Sequence, residues 1–371
     1  MKFKVEKNEL QDAIAIASRA AASKSPIPAL EGLLLNARDG LKITGYDLKE
    51  GIYTNNIEAE IEVMGEIVVN ARLFGEMIRR MPDGIVVFES DDEYNINVKC
   101  GKSEFNFAGL SPEDYPELPT VDGINNISLP QKILKSMINQ TVFAVADTDV
   151  RPIYTGELFE IEDKYLTVVA CDGYRLAKRK EMIEEGKLEN CTFVVPGSAL
   201  SDVERTCRDA DDLVEISVGK KHISFVIGST VIVSRRLEGE FLNYRKSIPQ
   251  EFKYNLGISR AELISTIERV ALVIKEKAQS PVRMTIRDGA IDLKCMTVVG
   301  KAEDVCLCEG NGDGLEIGFN DKYLTDALKA AGVEELKLCL NTASTPGVIT
   351  AADDTDKFTY MILPVRLRAG A

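Results

Sequence analysis

Residues 66–80 read EIVVNARLFGEMIRR, and this stretch contains the pattern from which the architecture of the chain can be inferred. A short β-like run ends at Val69, Asn70 follows it, and Phe74 and Ile78 are the apolar residues of the next segment. Because Phe74 and Ile78 are four positions apart, they lie on one face of a helix. Asn is a favoured residue at a helix start. The stretch therefore predicts a strand followed directly by an amphipathic helix.

The same pattern occurs six times in the 371 residues, with successive strand ends 64, 60, 66, 63 and 61 positions apart. These anchors are Val5, Val69, Leu129, Val195, Ile258 and Phe319. The next positions, where Asn, Ser and Pro favour a helix start, hold Glu6, Asn70, Pro130, Pro196, Ser259 and Asn320. An apolar residue follows each anchor by five positions and, except at Glu204, by nine. Such regularity predicts a repeated unit of about sixty residues.

A second repeat has a period of 125 residues, because Leu41, Leu166 and Ile291 align at that spacing. Each of these residues begins a run in which every second residue is apolar, and a turn-forming dipeptide precedes each run. A turn followed by such a run is typical of a hairpin. The units therefore pair into three similar domains, with predicted bounds of 1–120, 121–248 and 249–371. We predict an α+β fold in which every domain is a pair of β-α-β-β-β units, and linkers at 111–123 and 238–252.

Six such units each expose a sheet edge, which favours closure into a ring by head-to-tail oligomerisation. The chain has a formal charge of -14, which by itself disfavours a nucleic-acid partner. The six helix segments are nonetheless close to neutral, so the acidic excess lies elsewhere. A near-neutral to basic lining inside an acidic ring suits a polyanion that is held loosely enough to slide.

The residues offer little for catalysis or cofactor binding. There is one His, no phosphate-binding glycine motif and no CxxC among the eight Cys, so we expect no catalytic residue, metal or cofactor. The N-terminus has no apolar signal core and no apolar run is long enough to span a membrane, which predicts a cytoplasmic protein without a membrane partner. Two other classes stay open, a scaffold that binds only proteins and an unrecognised hydrolase.

Two motifs are more specific. Residues 166–177 read LTVVACDGYRLA, and residues 363–367 read LPVRL. Together with the repeat and the opening MKFKVEKNEL, they resemble the bacterial DNA sliding clamp family, the beta subunit of DNA polymerase III. The resemblance implies a homodimeric ring around duplex DNA, with helices inside and sheets outside, and no catalysis. It also implies partners that bind through short linear motifs, namely the replicative polymerase, the clamp loader and repair proteins.

The resemblance implies a peptide-binding pocket made by the two motifs and nearby residues. Its expected residues are Tyr154, Cys171, Gly173, Tyr174, Arg175, Leu176, Leu242, Ser247, Met361, Leu363, Pro364, Val365, Arg366 and Leu367. The chemistry is coherent, because the leucines and Met361 offer apolar surface and Arg175 and Arg366 can hold polar or acidic groups. The family usually has His at Tyr174, Thr or Ser at Cys171 and often Pro at Leu242, so peptide preference can differ here.

Two further sets of residues are expected at interfaces. Lys24 and Lys246 match basic positions of the family, and the helix segments add candidate DNA contacts at Arg72, Arg79, Arg80, Lys132, Lys135 and Arg205. The resemblance implies a dimer seam through Phe105 and Phe107 on an edge strand, and through Leu272 and Val273 late in the helix of the fifth unit.

Overall fold

The structure is a computed structural model that describes residues 1–123, 125–148, 150–183, 190–274, 280–353, 355 and 357–367. The described chain forms two compact units. The first comprises residues 1–135 and 198–236, and the second comprises residues 136–183, 190–197 and 237–367. Within the described residues, no helix is both long and apolar enough to cross a membrane.

The first two repeats supply nine strands and two helices. In chain order these are β1 (Lys2–Glu6), α1 (Lys7–Ala17), β2 (Gly32–Ala37), β3 (Leu41–Tyr46), β4 (Glu50–Ile57), β5 (Ala59–Val63), β6 (Glu66–Asn70), α2 (Ala71–Arg80), β7 (Ile85–Ser90), β8 (Asn95–Cys100) and β9 (Ser103–Ala108). Each repeat is β-α-β-β-β, and β5 is an additional strand between them.

The third and fourth repeats have the same element order without an additional strand. They contain β10 (Asn125–Pro130), α3 (Gln131–Asn139), β11 (Gly156–Glu162), β12 (Tyr165–Cys171), β13 (Arg175–Met182), β14 (Cys191–Pro196), α4 (Gly197–Thr206), β15 (Leu213–Val218), β16 (His222–Ile227) and β17 (Thr230–Arg235).

The last two repeats follow a single helical turn, α5 (Tyr244–Ser247). They contain β18 (Tyr254–Ser259), α6 (Arg260–Ala271), β19 (Val282–Arg287), β20 (Ala290–Met296), β21 (Lys301–Glu309), β22 (Leu315–Phe319), α7 (Asp321–Ala330), β23 (Glu335–Leu340), β24 (Gly347–Ala351) and β25 (Phe358–Ile362). The predicted pairs of β-α-β-β-β units are therefore confirmed.

The packing explains why the repeat could be read from the sequence. All six residues five positions after an anchor are at most 1 % exposed: Leu10, Phe74, Leu134, Leu200, Leu263 and Leu324. In the fourth repeat Val203 is fully buried beside the exceptional Glu204, so the helix keeps its apolar face through a shift of one residue. The apolar face of each helix supplies the core on which its strands pack.

The helices α2, α6 and α7 each begin with a side-chain cap. The side-chain oxygens of Asn70, Ser259 and Asn320 accept hydrogen bonds from the backbone N–H groups of the residues three positions later. Each cap satisfies one of the N–H groups that a helix start leaves unpaired. Glu6, at the start of α1, makes no such bond.

In the first unit the strands form two antiparallel sheets. One has the order β5-β1-β7-β8-β9, and the other has the order β10-β15-β16-β17-β4-β3-β2-β6. The pairing of β17 with β4 joins the fourth repeat to the first, with Ile232 opposite Ile52. The edges of the first and fourth repeats that meet at this pairing are thus covered within the same chain.

The second unit contains one sheet of twelve strands in the order β14-β11-β12-β13-β25-β24-β23-β18-β21-β20-β19-β22. The pairing of β13 with β25 joins the third repeat to the sixth, with Leu176 opposite Met361. The middle predicted domain therefore divides its strands between the two units, and the domain bounds near 120 and 248 stay predictions.

The two linkers are each anchored by a buried tyrosine. Tyr115 donates its hydroxyl to the carbonyl of Thr44 at 3.2 Å, and Tyr244 donates its hydroxyl to Glu160. One expectation needs correction, since α6 ends at Ala271 and Leu272 and Val273 lie just after it rather than within it. The Leu272 N–H bonds to Arg269 O, three residues back, so the last turn tightens and the helix stops there.

Candidate functional site

The DGYR segment forms the tight turn between β12 and β13. Gly173 has a φ of +94°, a conformation that side chains disfavour. Asp172 Oδ1 accepts hydrogen bonds from the N–H groups of Tyr174 at 2.8 Å and Arg175 at 2.9 Å. The turn therefore needs both the glycine and the aspartate, and it presents Tyr174, which is 63 % exposed, at its tip.

The predicted apolar residues come together next to this turn. Cys171, Leu176 and Met361 lie side by side across β12, β13 and β25, and Val348 on β24 extends the row. Directly opposed residues of antiparallel strands share one face of the sheet. Tyr154 and Leu242 pack half-buried against the same cluster. The structure thus brings five of the predicted residues into one apolar cluster, in which Cys171, Leu176 and Met361 are buried and Tyr154 and Leu242 are partly exposed.

The Leu363–Leu367 segment is held against the sheet by its backbone. The Leu363 N–H donates to Tyr174 O and the Val365 N–H donates to Gly318 O, both at 2.8 Å. A Cβ on Gly318 would lie 2.6 Å from Leu367 Cδ2, so Leu367 packs directly on that backbone. Leu363 is 37 % exposed and Arg366 is exposed, whereas Pro364, Val365 and Leu367 are partly buried. Leu363 and Arg366 are the members of this segment that face solvent.

Arg175 makes its polar contacts within the protein. Its Nε donates to Asp172 at 3.0 Å and its Nη1 donates to Asp326 at 2.6 Å. The guanidinium also lies 4.5 Å from the ring centroid of Tyr323 and 5.4 Å from that of Phe143. Such a stacked, doubly paired arginine fixes the turn rather than reaching toward solvent.

Cys171 contributes a neutral apolar wall. Burial, and after it the neighbouring Asp172 carboxylate, raises the pKa of its thiol to about 12. A protonated, buried thiol behaves as a small hydrophobic group. Ser247, at the end of α5, is half-buried and its hydroxyl lies 3.5 Å from Asn243 O.

Several residues of the cluster were not predicted. Val348, Phe241 and Ile248 belong to it, and the Phe241 ring packs edge to face on Tyr154 at 5.5 Å. Phe241 and Ile248 could have been suspected, because they flank Leu242 and Ser247 in the linker. Val348 could not, because its place depends on the register between β24 and β25.

The predicted DNA-contacting residues differ in whether their side chains already bind an acidic residue or a backbone carbonyl of the protein. Arg79 and Arg80 both contact Glu76, Lys132 lies 2.6 Å from Asp211, and Arg205 lies 3.8 Å from Asp202. The Lys135 ammonium donates to Cys207 O at 3.1 Å. The others, which are exposed and form no ion pair with any residue that the structure describes, are Lys24, Arg72 and Lys246.

The predicted seam residues lie on the edge strand β9 and just after α6. Phe105 and Phe107 on β9 are half-buried against the core of the first unit, and β9 ends its sheet. In the second unit Leu272 is 84 % exposed, and Val273 packs against the core. The exposed Val305 and Leu307 lie on β21, whose stretch 301–307 is paired only with β20 in the described part of the chain.

Comparisons of the sequence agree on one family. Three models of the DNA polymerase III beta subunit match in order, the N-terminal domain at residues 1–119, the central domain at 128–243 and the C-terminal domain at 245–366. The beta sliding clamp of Halalkalibacterium halodurans is 31 % identical, and the match covers 99 % of this chain and 100 % of that protein. The beta sliding clamp of Bacillus subtilis is 30 % identical with the same coverage.

Solved structures give the same result. The DNA polymerase sliding clamp of Bacillus subtilis superposes with a TM-score of 0.94 at 30 % identity, covering 99 % of this chain and 100 % of that one. A DNA polymerase III beta subunit of Eubacterium rectale gives 0.93 at 33 % identity, covering 98 % and 99 %. The chain therefore belongs to the family of bacterial DNA polymerase III beta subunits, the beta sliding clamps, and it is a processivity factor with three clamp domains rather than an enzyme.

Proposed function

We propose that two copies of this chain close head to tail into a ring that encircles duplex DNA, with the helices inside and the sheets outside. The observation that carries the proposal is the pair of open edges, β9 in one unit and residues 301–307 of β21 in the other. Open edges with exposed apolar side chains favour pairing with another chain. Pairing β9 of one copy with β21 of the next, twice, leaves neither edge free.

Three other strands at sheet ends, β6, β14 and β22, are partly covered by the chain itself. Leu110 bridges to Val68 on β6, Leu237 bridges to Val194 on β14, and Val365 bonds to Gly318 on β22. These single contacts use part of the hydrogen-bonding capacity of each edge strand. They make β6, β14 and β22 less available to a partner copy.

Within this ring, DNA would be held by its backbone without base readout. The exposed arginines of α2 and Lys24, Lys132, Lys135, Arg205 and Lys246 are the candidate contacts. Since Arg79, Arg80, Lys132 and Arg205 already face acidic neighbours, their net attraction for phosphate is weak. Weak, sequence-independent contacts permit sliding. The processivity factor would act in the bacterial cytoplasm.

Partner proteins would dock on the apolar cluster around Leu176 and Met361, with Tyr174, Leu363 and Arg366 at its rim. The supporting observations are the assembled apolar row, the solvent-facing rim and a turn fixed by Arg175. A short peptide with an apolar anchor suits such a surface. The proposed occupants are segments of the replicative polymerase, the clamp loader and repair proteins. Tethering raises the local concentration of a dissociated polymerase at the DNA end.

A retention experiment tests the ring. The labelled protein is loaded onto a nicked circular plasmid by a bacterial clamp loader with ATP, and the loader is then removed. We expect the protein to co-elute with the circle on gel filtration and to be lost after one cut linearises the plasmid. An uncut circle treated with inactivated nuclease is the control. Equal loss from circular and linear DNA would exclude topological binding.

A further inference from the structure

The second unit carries its proposed peptide pocket on the apolar row of Cys171, Leu176, Met361 and Val348, which we name the docking row. The first unit contains an equivalent row. We propose that this row is a second peptide-docking site, which the chain keeps closed with Leu118 of its own linker. The inference rests on the proposed function, because it takes the docking row as the site of partner peptides.

The turn beside the equivalent row has the same hydrogen bonds as the DGYR turn. It joins β3 to β4 and reads DLKE, 125 positions before DGYR. Asp47 Oδ1 accepts hydrogen bonds from the N–H groups of Lys49 at 2.8 Å and Glu50 at 2.7 Å. Leu48 has a φ of +75°, close to the +94° of Gly173. The first repeat therefore keeps the conformation of the turn, although the two sequences share only the aspartate.

The strand register that follows the turn is also the same. Gly51 on β4 lies opposite Tyr46 on β3 and Val233 on β17, and Val233 lies opposite Ser224 on β16. In the second unit the corresponding places, in the order β13, β12, β25 and β24, are held by Leu176, Cys171, Met361 and Val348. Directly opposed residues share one face of a sheet, so each row is one continuous strip.

A backbone hydrogen bond confirms that the two rows are equivalent. The Arg235 N–H donates to Lys49 O at 2.8 Å, and the Leu363 N–H donates to Tyr174 O at the same distance of 2.8 Å. Arg235 is two residues after Val233, as Leu363 is two residues after Met361 in the docking row. Turn, strand pairing and closing bond therefore agree in one alignment of the two units.

The two rows differ at Gly51, which occupies the place of Leu176. A Cβ at Gly51 would lie 2.7 Å from Leu118 Cδ2 and 3.0 Å from Leu118 Cγ, so the Leu118 side chain packs directly on the Gly51 backbone. Only glycine permits so close an approach to the backbone. An apolar side chain of the linker thus covers the first-unit row in the way that an apolar anchor of a partner peptide would cover the docking row.

The linker is fixed to the protein next to this contact. Tyr115 is 6 % exposed, donates its hydroxyl to Thr44 O at 3.2 Å, and belongs with Tyr46 and the half-buried Leu118 to one apolar cluster. A tethered ligand acts at an effective concentration on the order of millimolar. A free peptide at a lower concentration therefore competes poorly with Leu118, and the first-unit site stays closed.

Methyl NMR of the full-length protein distinguishes the two sites, because Val233 belongs to the first-unit row and Val348 to the docking row. The probe is a hexapeptide carrying Leu and Phe, selected from an array for binding to the unaltered protein. In the unaltered protein we expect it to shift the Val348 signals and to leave those of Val233 in place. In Leu118→Gly both should shift and saturate. The first-unit site should bind about tenfold more weakly, because Gly51 and Ser224 offer less apolar area than Leu176 and Val348.

Two further variants test the same contact. Leu118→Met is the matched control, because a side chain of similar volume should keep the site closed and the Val233 signals unchanged. Gly51→Leu places the leucine of the docking row in the space that Leu118 fills, so it should expel Leu118 and open the site by a different route. Thermal unfolding checks each variant. If Gly51→Leu does not fold, Gly51→Leu with Leu118→Gly removes the clash and should bind more tightly than Leu118→Gly alone.

Each other outcome contradicts the inference in a recognisable way. If Val348 responds in folded Leu118→Gly and Val233 does not, even at millimolar peptide, the closed site is refuted and the docking row stands. If neither valine responds in any variant, the docking row fails and the inference fails with it. If Val233 responds equally in the unaltered protein and in Leu118→Gly, Leu118 does not close the site and the inference is wrong.

Discussion

Glu157 on β11 is a carboxyl group that is fully buried in the second unit. Thr141 Oγ1 lies 2.9 Å from Glu157 Oε2 and 2.8 Å from Met137 O, and Glu157 Oε1 has no hydrogen-bond partner among the described residues. A hydroxyl carries one hydrogen, and Thr141 can donate it to Glu157 Oε2, to Met137 O or to Ile138 O, so it is at most a partial donor to the carboxyl group. Burial is the main cause that raises the pKa of Glu157 to about 8.

The raised pKa predicts a pH-dependent cost in stability. Below about pH 4.5 the folded and unfolded chains both bind the proton, and Glu157 costs nothing. Between pH 4.5 and 8 only the folded state keeps it, so stability falls as pH rises and levels off above the folded pKa. Glu157→Gln should therefore stabilise the protein by about 2 to 4 kcal/mol near pH 8 and by little near pH 5.

Thermal unfolding at fixed protein concentration measures this effect, because dimer stability depends on concentration. The exposed Glu215→Gln is the control and should shift Tm equally little at both pH values. A Glu157→Gln shift of the same size at pH 5 and pH 8 would show that Glu157 does not titrate in this range.

At this same scale, the sequence predicted residues of this cluster where a motif or the family resemblance names them. Cys171, Leu176 and Met361 were found because they belong to or adjoin the DGYRL and LPVRL motifs. Val348 was not, since its position beside Met361 depends on the strand register. Nor could the sequence show that Arg175 is paired with Asp326, which lies 151 residues away in the chain.

At the scale of elements, the first turn of each helix distinguishes the repeats. Asn70 Oδ1 accepts the Leu73 N–H at 2.9 Å at the start of α2, whereas Glu6 at the start of α1 makes no side-chain cap bond. Asn70→Ala should therefore lower the free energy of unfolding by about 1 kcal/mol. Glu6→Ala, the same change at the equivalent position of another repeat, should alter it far less. Urea unfolding measures both, and equal losses would mean that the cap bond is not the source of the effect.

The helices and their buried faces could be predicted because apolar residues are spaced differently along a helix and along a strand, and because the pattern occurs six times. The additional strand β5 was not predicted, and the alternation of its residues is weak, since Ile61 is half-buried and Val63 is 52 % exposed. The end of α6 was placed two residues late, because Leu272 and Val273 continue the helical apolar pattern although the hydrogen bonding has already tightened. Element type is thus set by local residues, and element ends depend on hydrogen bonds that the pattern does not show.

At the scale of the molecule, the sequence could not predict which repeats pair their strands in a common sheet. The repeat implied exposed edges, but only the structure shows that β4 pairs with β17 and β13 pairs with β25. Nonlocal strand pairing depends on which edges meet, and equivalent repeats offer equivalent edges. The repeat therefore predicted the domain architecture, whereas the partners of its edges required three-dimensional information.

A substitution of Leu272 tests whether α6 and β21 lie in the interface with the second copy. It is 84 % exposed beside β21, where Arg269 of α6 pairs with Asp304 and Glu262 accepts the Leu307 N–H. Leu272→Asp removes no core contact, so Tm of the separated chain should change little, but a buried unpaired carboxylate in the seam should weaken the dimer by at least about tenfold. Sedimentation at micromolar concentration measures the dimer fraction. Leu213→Asp, at an equally apolar exposed site in the other unit, should leave it unchanged. A Leu272→Asp protein that stays fully dimeric would place the seam away from α6 and β21, and retention on circular DNA would then have to arise from a different closure of the chain.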